Sequence, residues 1–227
     1  MKYHIHTLGC QMNSADSLRL ASGLEKLGVS RTDDVSNADI AVLNTCVVRQ
    51  SAEDRAYGWL NRIGNIKRKN RPELTVGLMG CLVGVKGNKK ISRKYPFVDV
   101  MLPPSDPTIL LELVEKQLSA QRYFRQNKNE QHVIQDGGLM LPENDRGKQV
   151  SSYVPVVYGC SHACTFCIIP FKRGIERSRP THDIVSECKS LSAQGVKEIV
   201  LLGQIVDRYG YDLEDEVNLS SLLQEVH

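Results

Sequence analysis

The sequence predicts an α/β protein: an amino-terminal domain built on an open parallel sheet, followed by the start of a second α/β unit. Three observations lead there. Short strand-like runs alternate with segments of helical periodicity, the connections between them are short, and the alternation repeats four times before residue 120. Strands that recur in this way must lie parallel, joined by right-handed crossovers over the faces of one sheet.

Lys2 to Thr7 (KYHIHT) alternates as a strand does, and GCQMNSADS gives way to the helical pattern ADSLRLASGLEKL, which stops at Gly28. Asp39 to Leu43 (DIAVL) leads through NTC into a helical segment from about Gln50. Leu74 to Met79 (LTVGLM) leads through GC into a weaker helical pattern, and Phe97 to Leu102 precedes an amphipathic helix near Thr108 to Leu118. Residues 1–119 therefore read as one domain. Residues 120–149, rich in Asn, Gln, Asp, Gly and Lys, read as a linker in which VIQ and LMLP could supply a short strand pair. The second unit, residues 150–227, opens with the strand Tyr153 to Val157. It continues through a helix near Pro180 to Gln194 into the apolar strand Glu198 to Leu202, and ends in the helical SSLLQEVH. Two strands and two helices are too few to close a core. The unit must either pack on the first domain or be part of a larger one, and the second is expected.

Composition excludes several classes. With 41% hydrophobic and 24% charged residues the chain matches an ordinary globular protein. No run approaches the roughly 18 to 20 apolar residues of a membrane span, and the opening MKYHIHTLGC lacks the apolar core of a secretory signal, which sets membrane and export readings aside. Lys plus Arg number 29 against 26 Asp plus Glu, a net +3 that permits a nucleic-acid partner without requiring one.

The seven cysteines carry more information. An odd count without an export signal argues against a disulfide framework and for metal binding or catalysis. Cys10, Cys46 and Cys81 are 36 and 35 residues apart, and each follows a predicted strand and precedes a predicted helix. Equivalent places in successive strand-helix units share the carboxyl edge of the sheet, where ligands bind. Three distant thiols could therefore meet there, with Gly9 and Gly80 allowing close backbone approach and helix N-termini favouring negative charge. Cys160, Cys164 and Cys167 have the spacing C-x3-C-x2-C directly after a strand. Three thiolates so spaced can hold three irons of a 4Fe-4S cluster, leaving the fourth open to a substrate or cofactor. A zinc site would want a fourth ligand, and His162 lies awkwardly between two of the cysteines.

The segment GCSHACTFCIIP resembles the cluster loop of radical S-adenosylmethionine (SAM) enzymes, in which an aromatic residue such as Phe166 precedes the last cysteine. TLGCQMNSADS, NTCVVRQSA and MGCL resemble, in order and spacing, the three cysteine segments of the methylthiotransferase family of these enzymes. Arg173-Gly174, Ser178-Arg179-Pro180 and Leu201-Leu202-Gly203-Gln204 resemble its RG, SRP and LLGQ segments. GCQMN is similar to the branch acting on tRNA. The resemblance implies a methylthiotransferase amino-terminal domain followed by the start of a radical SAM α/β barrel, which in the family continues well past residue 227 into a small RNA-binding β-barrel. It implies a 4Fe-4S cluster exchangeable with SAM on Cys160, Cys164 and Cys167, and an auxiliary 4Fe-4S cluster on Cys10, Cys46 and Cys81. One SAM would methylate a sulfur on the auxiliary cluster and a second would supply a radical, so that a methylthio group enters carbon 2 of an isopentenylated adenosine beside the anticodon. The implied partners are the tRNA anticodon loop, an electron donor such as a ferredoxin or flavodoxin, and a sulfur donor; the implied protein is a cytoplasmic monomer. Related alternatives are a threonylcarbamoyl adenosine or a ribosomal-protein aspartate as substrate, or a non-catalytic iron-sulfur or zinc module that holds RNA. Where the family often has Asn after GQ, this chain has Ile205.

Other residues carry two readings each. Arg62, Lys67, Arg68, Lys69 and Arg71, and then Lys86, Lys89, Lys90, Arg93 and Lys94, are phosphate anchors or a solvated face. Cys188 reads as a structural thiol. His162 is a hydrogen-bonding partner of the cluster or a surface residue. Asn13 and Asn44 flank cluster cysteines and read equally as caps or turn residues.

Overall fold

The computed structural model describes residues 1–123, 138–214 and 217–227. Its elements run β1 (Lys2–Thr7), α1 (Gln11–Lys26), β2 (Ser30–Arg31), β3 (Ile40–Thr45), α2 (Gln50–Lys69), β4 (Thr75–Gly80), α3 (Lys89–Lys94), β5 (Val100–Leu102), α4 (Thr108–Tyr123), β6 (Ser151–Pro155), β7 (Val157–Tyr158), α5 (Ile169–Arg173), β8 (Arg177–Ser178), α6 (Thr181–Ala193), β9 (Glu198–Leu202) and α7 (Leu219–Val226). The first five strands form one sheet in the order β2-β1-β3-β4-β5, with every pairing parallel.

The two central strands, IAVLNT and TVGLMG, are buried at every residue, as strands covered on both faces must be. On one face Leu20, Leu24, Leu110, Leu111 and Val114 of α1 and α4 pack against Tyr3, Val42 and Met79. On the other, Ala56 and Leu60 of α2 and Ile91 of α3 pack with Leu43 and Leu78. From β1 the chain steps outward to β2 and then back past β1 to β3. The strand order thus reverses between β1 and β3, which opens a crevice at their carboxyl ends.

In the second unit β6 pairs parallel with β9, and β7 pairs antiparallel with β8. It packs on the first unit through α1. Met12 and Ala15 on the far side of that helix meet Tyr153, Tyr158, Val200 and Leu202, while Leu18 meets the cluster built from Val154, Val156, Ile184 and Leu191. One helix therefore lies between two sheets, so even its polar positions are covered.

Two expectations need correction. LMLP forms no strand, and VIQ lies outside the described residues. Residues 138–149 pack on the rest of the chain: Leu141 is fully buried, its N–H donates to Gln194 Oε1 (2.7 Å), and Glu143 N–H donates to Glu25 Oε2 (2.8 Å). The helix following Cys81 is delayed to Lys89, because residues 81–88 turn instead. The two-residue strands β2, β7 and β8 are too short to show a period in sequence.

Candidate metal centres

Strands β1, β3 and β4 are neighbours, and their register sets Thr7 against Asn44 and Thr45 against Gly80. Cys10 caps α1 just past β1, while Cys46 and Cys81 are the residues directly after β3 and β4. Three thiols thus stand on adjacent strand ends, Cys10 and Cys46 on the two strands that flank the crevice. Cys10 is exposed, whereas Cys46 and Cys81 are buried. Gly9, at φ +131°, lies so close to Cys46 that an added Cβ would sit 2.7 Å from the Cys46 Cβ. At Gly80, φ +96°, it would sit 2.5 Å from the Thr45 carbonyl oxygen.

Buried amides hold this edge together. Asn13 Nδ2 donates to Asn44 Oδ1 and to the Thr45 carbonyl, both at 2.8 Å. Asn44 Nδ2 donates to the Asn13 carbonyl (2.9 Å) and to Ser17 Oγ (3.0 Å), and the Cys10 thiol donates to Asn13 Oδ1 (3.3 Å). Neither asparagine is a helix cap. Both are fully buried and lock the first turn of α1 to the end of β3, because an amide there must find partners inside the protein.

The second triplet lies on the loop between β7 and α5. Cys160 is buried, with its N–H donating to the Gly174 carbonyl (3.0 Å); Cys167 N–H donates to the Cys164 carbonyl (3.0 Å), and Cys164 is exposed. Ser161 Oγ accepts from Glu176 N–H (3.0 Å), and the buried Glu176 carboxylate receives Arg208 Nε at 2.8 and 2.9 Å. Phe166 is 91% exposed beside the last cysteine, and His162 is exposed. Gly203 and Gln204 follow β9 at the same edge, where Val156 N–H donates to the Leu202 carbonyl (2.7 Å). Ile205, in the place of the family's Asn, is half-buried, and Val206 after it packs on the second core.

Arg173 joins the two edges. From the end of α5 its Nη2 donates to Asn13 Oδ1 (3.1 Å), its Nη1 donates to Ser105 Oγ (3.4 Å), and Nη1 lies 3.5 Å from Asp16 Oδ2. Its positive charge also acts on the nearby Cys81 thiol. Burial pushes the Cys81 thiol up; Arg173 opposes this, while the nearby Cys46 and Cys10 add to it. Burial pulls the Arg173 guanidinium down, yet Asp16, Cys81 and Cys10 outweigh it, so the group is a permanent cation. Burial also raises Asp16, against the pull of Arg173 and Ser105.

Among the described residues no three His, Cys, Asp or Glu side chains close on one point tightly enough to chelate a single ion. A four-iron cluster makes no such demand, since each thiolate binds a different iron. Thiols on three adjacent strand ends, a glycine cradle and a buried cation suit an anionic iron-sulfur group, and the C-x3-C-x2-C loop offers three more sulfurs on backbone held at both ends.

The basic runs divide on inspection. Lys67 pairs with Asp99 and donates to the Phe97 carbonyl, Arg71 pairs with Asp39 and Glu73, and Lys94 lies over the Tyr57 and Tyr95 rings. Those three fasten secondary structure. Lys86, Lys89, Lys90 and Arg93 are exposed in the segment that follows Cys81. Arg179 of the SRP segment is occupied by the Pro155 carbonyl (2.7 Å) and Glu187 (2.7 Å). Cys188 is buried in α6, away from both triplets in the second core.

Comparison with known proteins agrees with this arrangement. Residues 154–225 match the radical SAM superfamily, which is the class that the strand-borne cysteine loop defines. Residues 2–103 match the family described as "Uncharacterized protein family UPF0004". The tRNA-2-methylthio-N(6)-dimethylallyladenosine synthase of Clostridium botulinum (strain Okra / Type B1) is 38% identical over 231 residues, covering 100% of this chain and 49% of that protein. The enzyme of the same name from Roseiflexus sp. (strain RS-1) is 39% identical over 226 residues, covering 100% and 44%. The two regions occur here in this order, and the chain is similar along its whole length to these synthases. It spans about half the length of the curated relatives it matches. The fold is also similar to that of the radical S-adenosylmethionine methyltransferase TsrM from Kitasatospora setae, solved with tryptophan and a SAM analogue bound. There the TM-score is 0.55 at 13% identity, over 99% of this chain and 50% of that one.

Proposed function

We propose that the chain is the cluster-bearing part of a tRNA methylthiotransferase that converts N(6)-dimethylallyladenosine beside the anticodon to its 2-methylthio derivative. The observation that carries the reading is the placement of two cysteine triplets on two strand edges tied by one buried arginine, in a chain whose relatives are synthases of that name. In this reading Cys160, Cys164 and Cys167 hold a 4Fe-4S cluster that SAM chelates, and Cys10, Cys46 and Cys81 hold the auxiliary one. When bound, these groups and SAM supply the radical and the sulfur. The protein's part is to hold both sites at fixed separation, because proximity must replace diffusion for a reactive radical. Gly9 and the Asn13–Asn44 network set the position of Cys10 and Cys46; Glu176 and Gly174 fix the loop that bears Cys160. The proposed division is 1–119 for the amino-terminal domain, 120–149 for the connection and 150–227 for the part-barrel. A cytoplasmic monomer served by a ferredoxin or flavodoxin and by a sulfur donor completes the reading.

The test is anaerobic SAM cleavage and nucleoside mass analysis with the protein in its full-length form. Cys160→Ala is expected to abolish 5'-deoxyadenosine release, and Cys46→Ala to keep release while ending methylthio formation on dimethylallyladenosine-containing tRNA. Equal methylthio formation in the Cys46 variant would sink the auxiliary-site assignment. Product on threonylcarbamoyl adenosine or on a ribosomal protein, with none on this tRNA, would move the substrate to another branch.

A further inference from the structure

Arg173 is not a cluster ligand, yet it is the side chain that passes from the cysteine loop of the second unit into the edge of the first. Its side chain is 3% exposed, and Asp16, its counter-ion from α1, is 0% exposed. An ion pair buried in this way returns its desolvation cost only when the geometry is good and the remaining polar atoms are satisfied. Here neither condition holds: the closest approach is 3.5 Å, and neither Asp16 oxygen makes a well-formed hydrogen bond. Docking of the two units alone would be served as well by apolar residues, so stability does not explain the pair.

The donors of the guanidinium point elsewhere. Nη2 donates to the Asn13 oxygen that also accepts from the Cys10 thiol, and the charge of the group acts on the Cys81 thiol beside it. On its other side stands Ser105, which among the described non-glycine residues is the one held in left-handed backbone, at φ +63°. Strain there keeps a hydroxyl against the arginine and so fixes where the cation sits.

We propose that Arg173 is a positioning residue that holds a fixed positive charge against the Cys10–Cys46–Cys81 site and ties that site mechanically to the Cys160–Cys164–Cys167 loop. The inference rests on the reading that the first triplet binds an iron-sulfur cluster. A cation beside such a cluster favours its reduced, more negative state, and its removal makes reduction harder. Asp16 and Ser105 orient the guanidinium; Asn13 passes its hold on to Cys10.

The experiment uses the reconstituted protein with Cys160, Cys164 and Cys167 all changed to Ala, so that iron on the first triplet is observed alone. Arg173→Gln and Arg173→Lys are compared with the parent by iron and sulfide content and by an electron paramagnetic resonance redox titration. Arg173→Gln is expected to weaken reduction about tenfold, a shift of about 59 mV to lower potential for one electron, with Arg173→Lys recovering most of it. An unchanged potential and spectrum in Arg173→Gln at full iron content would overturn the proposal. If Arg173→Gln takes up no iron, Arg173→Lys decides: regained iron supports the charge, equal loss contradicts it. A parent that holds no iron at all on Cys10, Cys46 and Cys81 would instead overturn the cluster reading beneath it.

Discussion

Gly9 and Cys46 touch across the crevice, and the consequence is measurable at a single methyl group. A Cβ at Gly9 would meet the Cys46 Cβ at 2.7 Å, in a backbone conformation with φ +131° that side chains avoid. We expect Gly9→Ala to cost about 1–3 kcal/mol in denaturant unfolding and to lower iron uptake by the first triplet. Gly58 provides the contrast. It lies in α2 with nothing within 4 Å of an added Cβ, so Gly58→Ala should raise stability by about 0.5–1 kcal/mol and leave iron unchanged. Cys188 tests a different property. Burial, aided by the charge of Glu187, pushes its thiol up to about 11 from 9.0. The fold thus favours the protonated thiol: its contribution to stability is complete below pH 9.0 and is lost as the pH rises towards about 11. In the iron-free chain at pH 8 we expect alkylation of the exposed Cys164 well before Cys188, read by peptide mass analysis; equal rates would contradict the burial. Both triplets were legible at this scale, because cysteine spacing survives in sequence. Arg173 stood out only as part of the RG segment, and its place between the two sites did not, since Asp16 and Asn13 come from another segment and nothing local marks the arginine as buried. Asn13 and Asn44 looked like caps because short amides beside turns usually are.

At the scale of elements, α1 does the most. It carries Cys10 at its start, Asn13 and Asp16 on the face turned to the crevice, and apolar residues towards both sheets. Its first turn is hard to see in sequence for that reason: the pattern read there began at Ala15, whereas the helix begins at Gln11, because polar side chains are buried where periodicity assigns them to solvent. Its long strand neighbours were legible to within one or two residues, since strands covered on both faces are continuous apolar runs. One ion cluster fastens α1 to α6. Glu187, 3% exposed, receives Arg19 at 2.6 Å and Arg179 at 2.7 Å. Removing the carboxylate strands two cations, so Glu187→Ala should lose about 3–5 kcal/mol in urea denaturation. Asp33→Ala, at an Arg31 pair whose acid is 93% exposed, should lose less than about 1 kcal/mol. Similar losses in the two variants would show that the cluster does not join the units.

For the whole molecule the decisive relation is between two sheet edges. The order β2-β1-β3-β4-β5 places a crevice where Cys10 and Cys46 stand, and α5 brings the second cysteine loop to it through Arg173. The alternation of strands and helices foretold the first sheet. It could not foretell how the second unit packs, because the surface that receives it is the far side of a helix whose near side already has a sheet. No helix among the described residues is long and apolar enough to cross a membrane. The central claim, two iron-sulfur sites in one chain, is tested most directly by counting iron and acid-labile sulfide after oxygen-free reconstitution. The comparison is between the parent and the variant with Cys160, Cys164 and Cys167 all changed to Ala. We expect about eight irons falling to about four. About four falling to none would contradict the claim and leave Cys10, Cys46 and Cys81 as structural thiols.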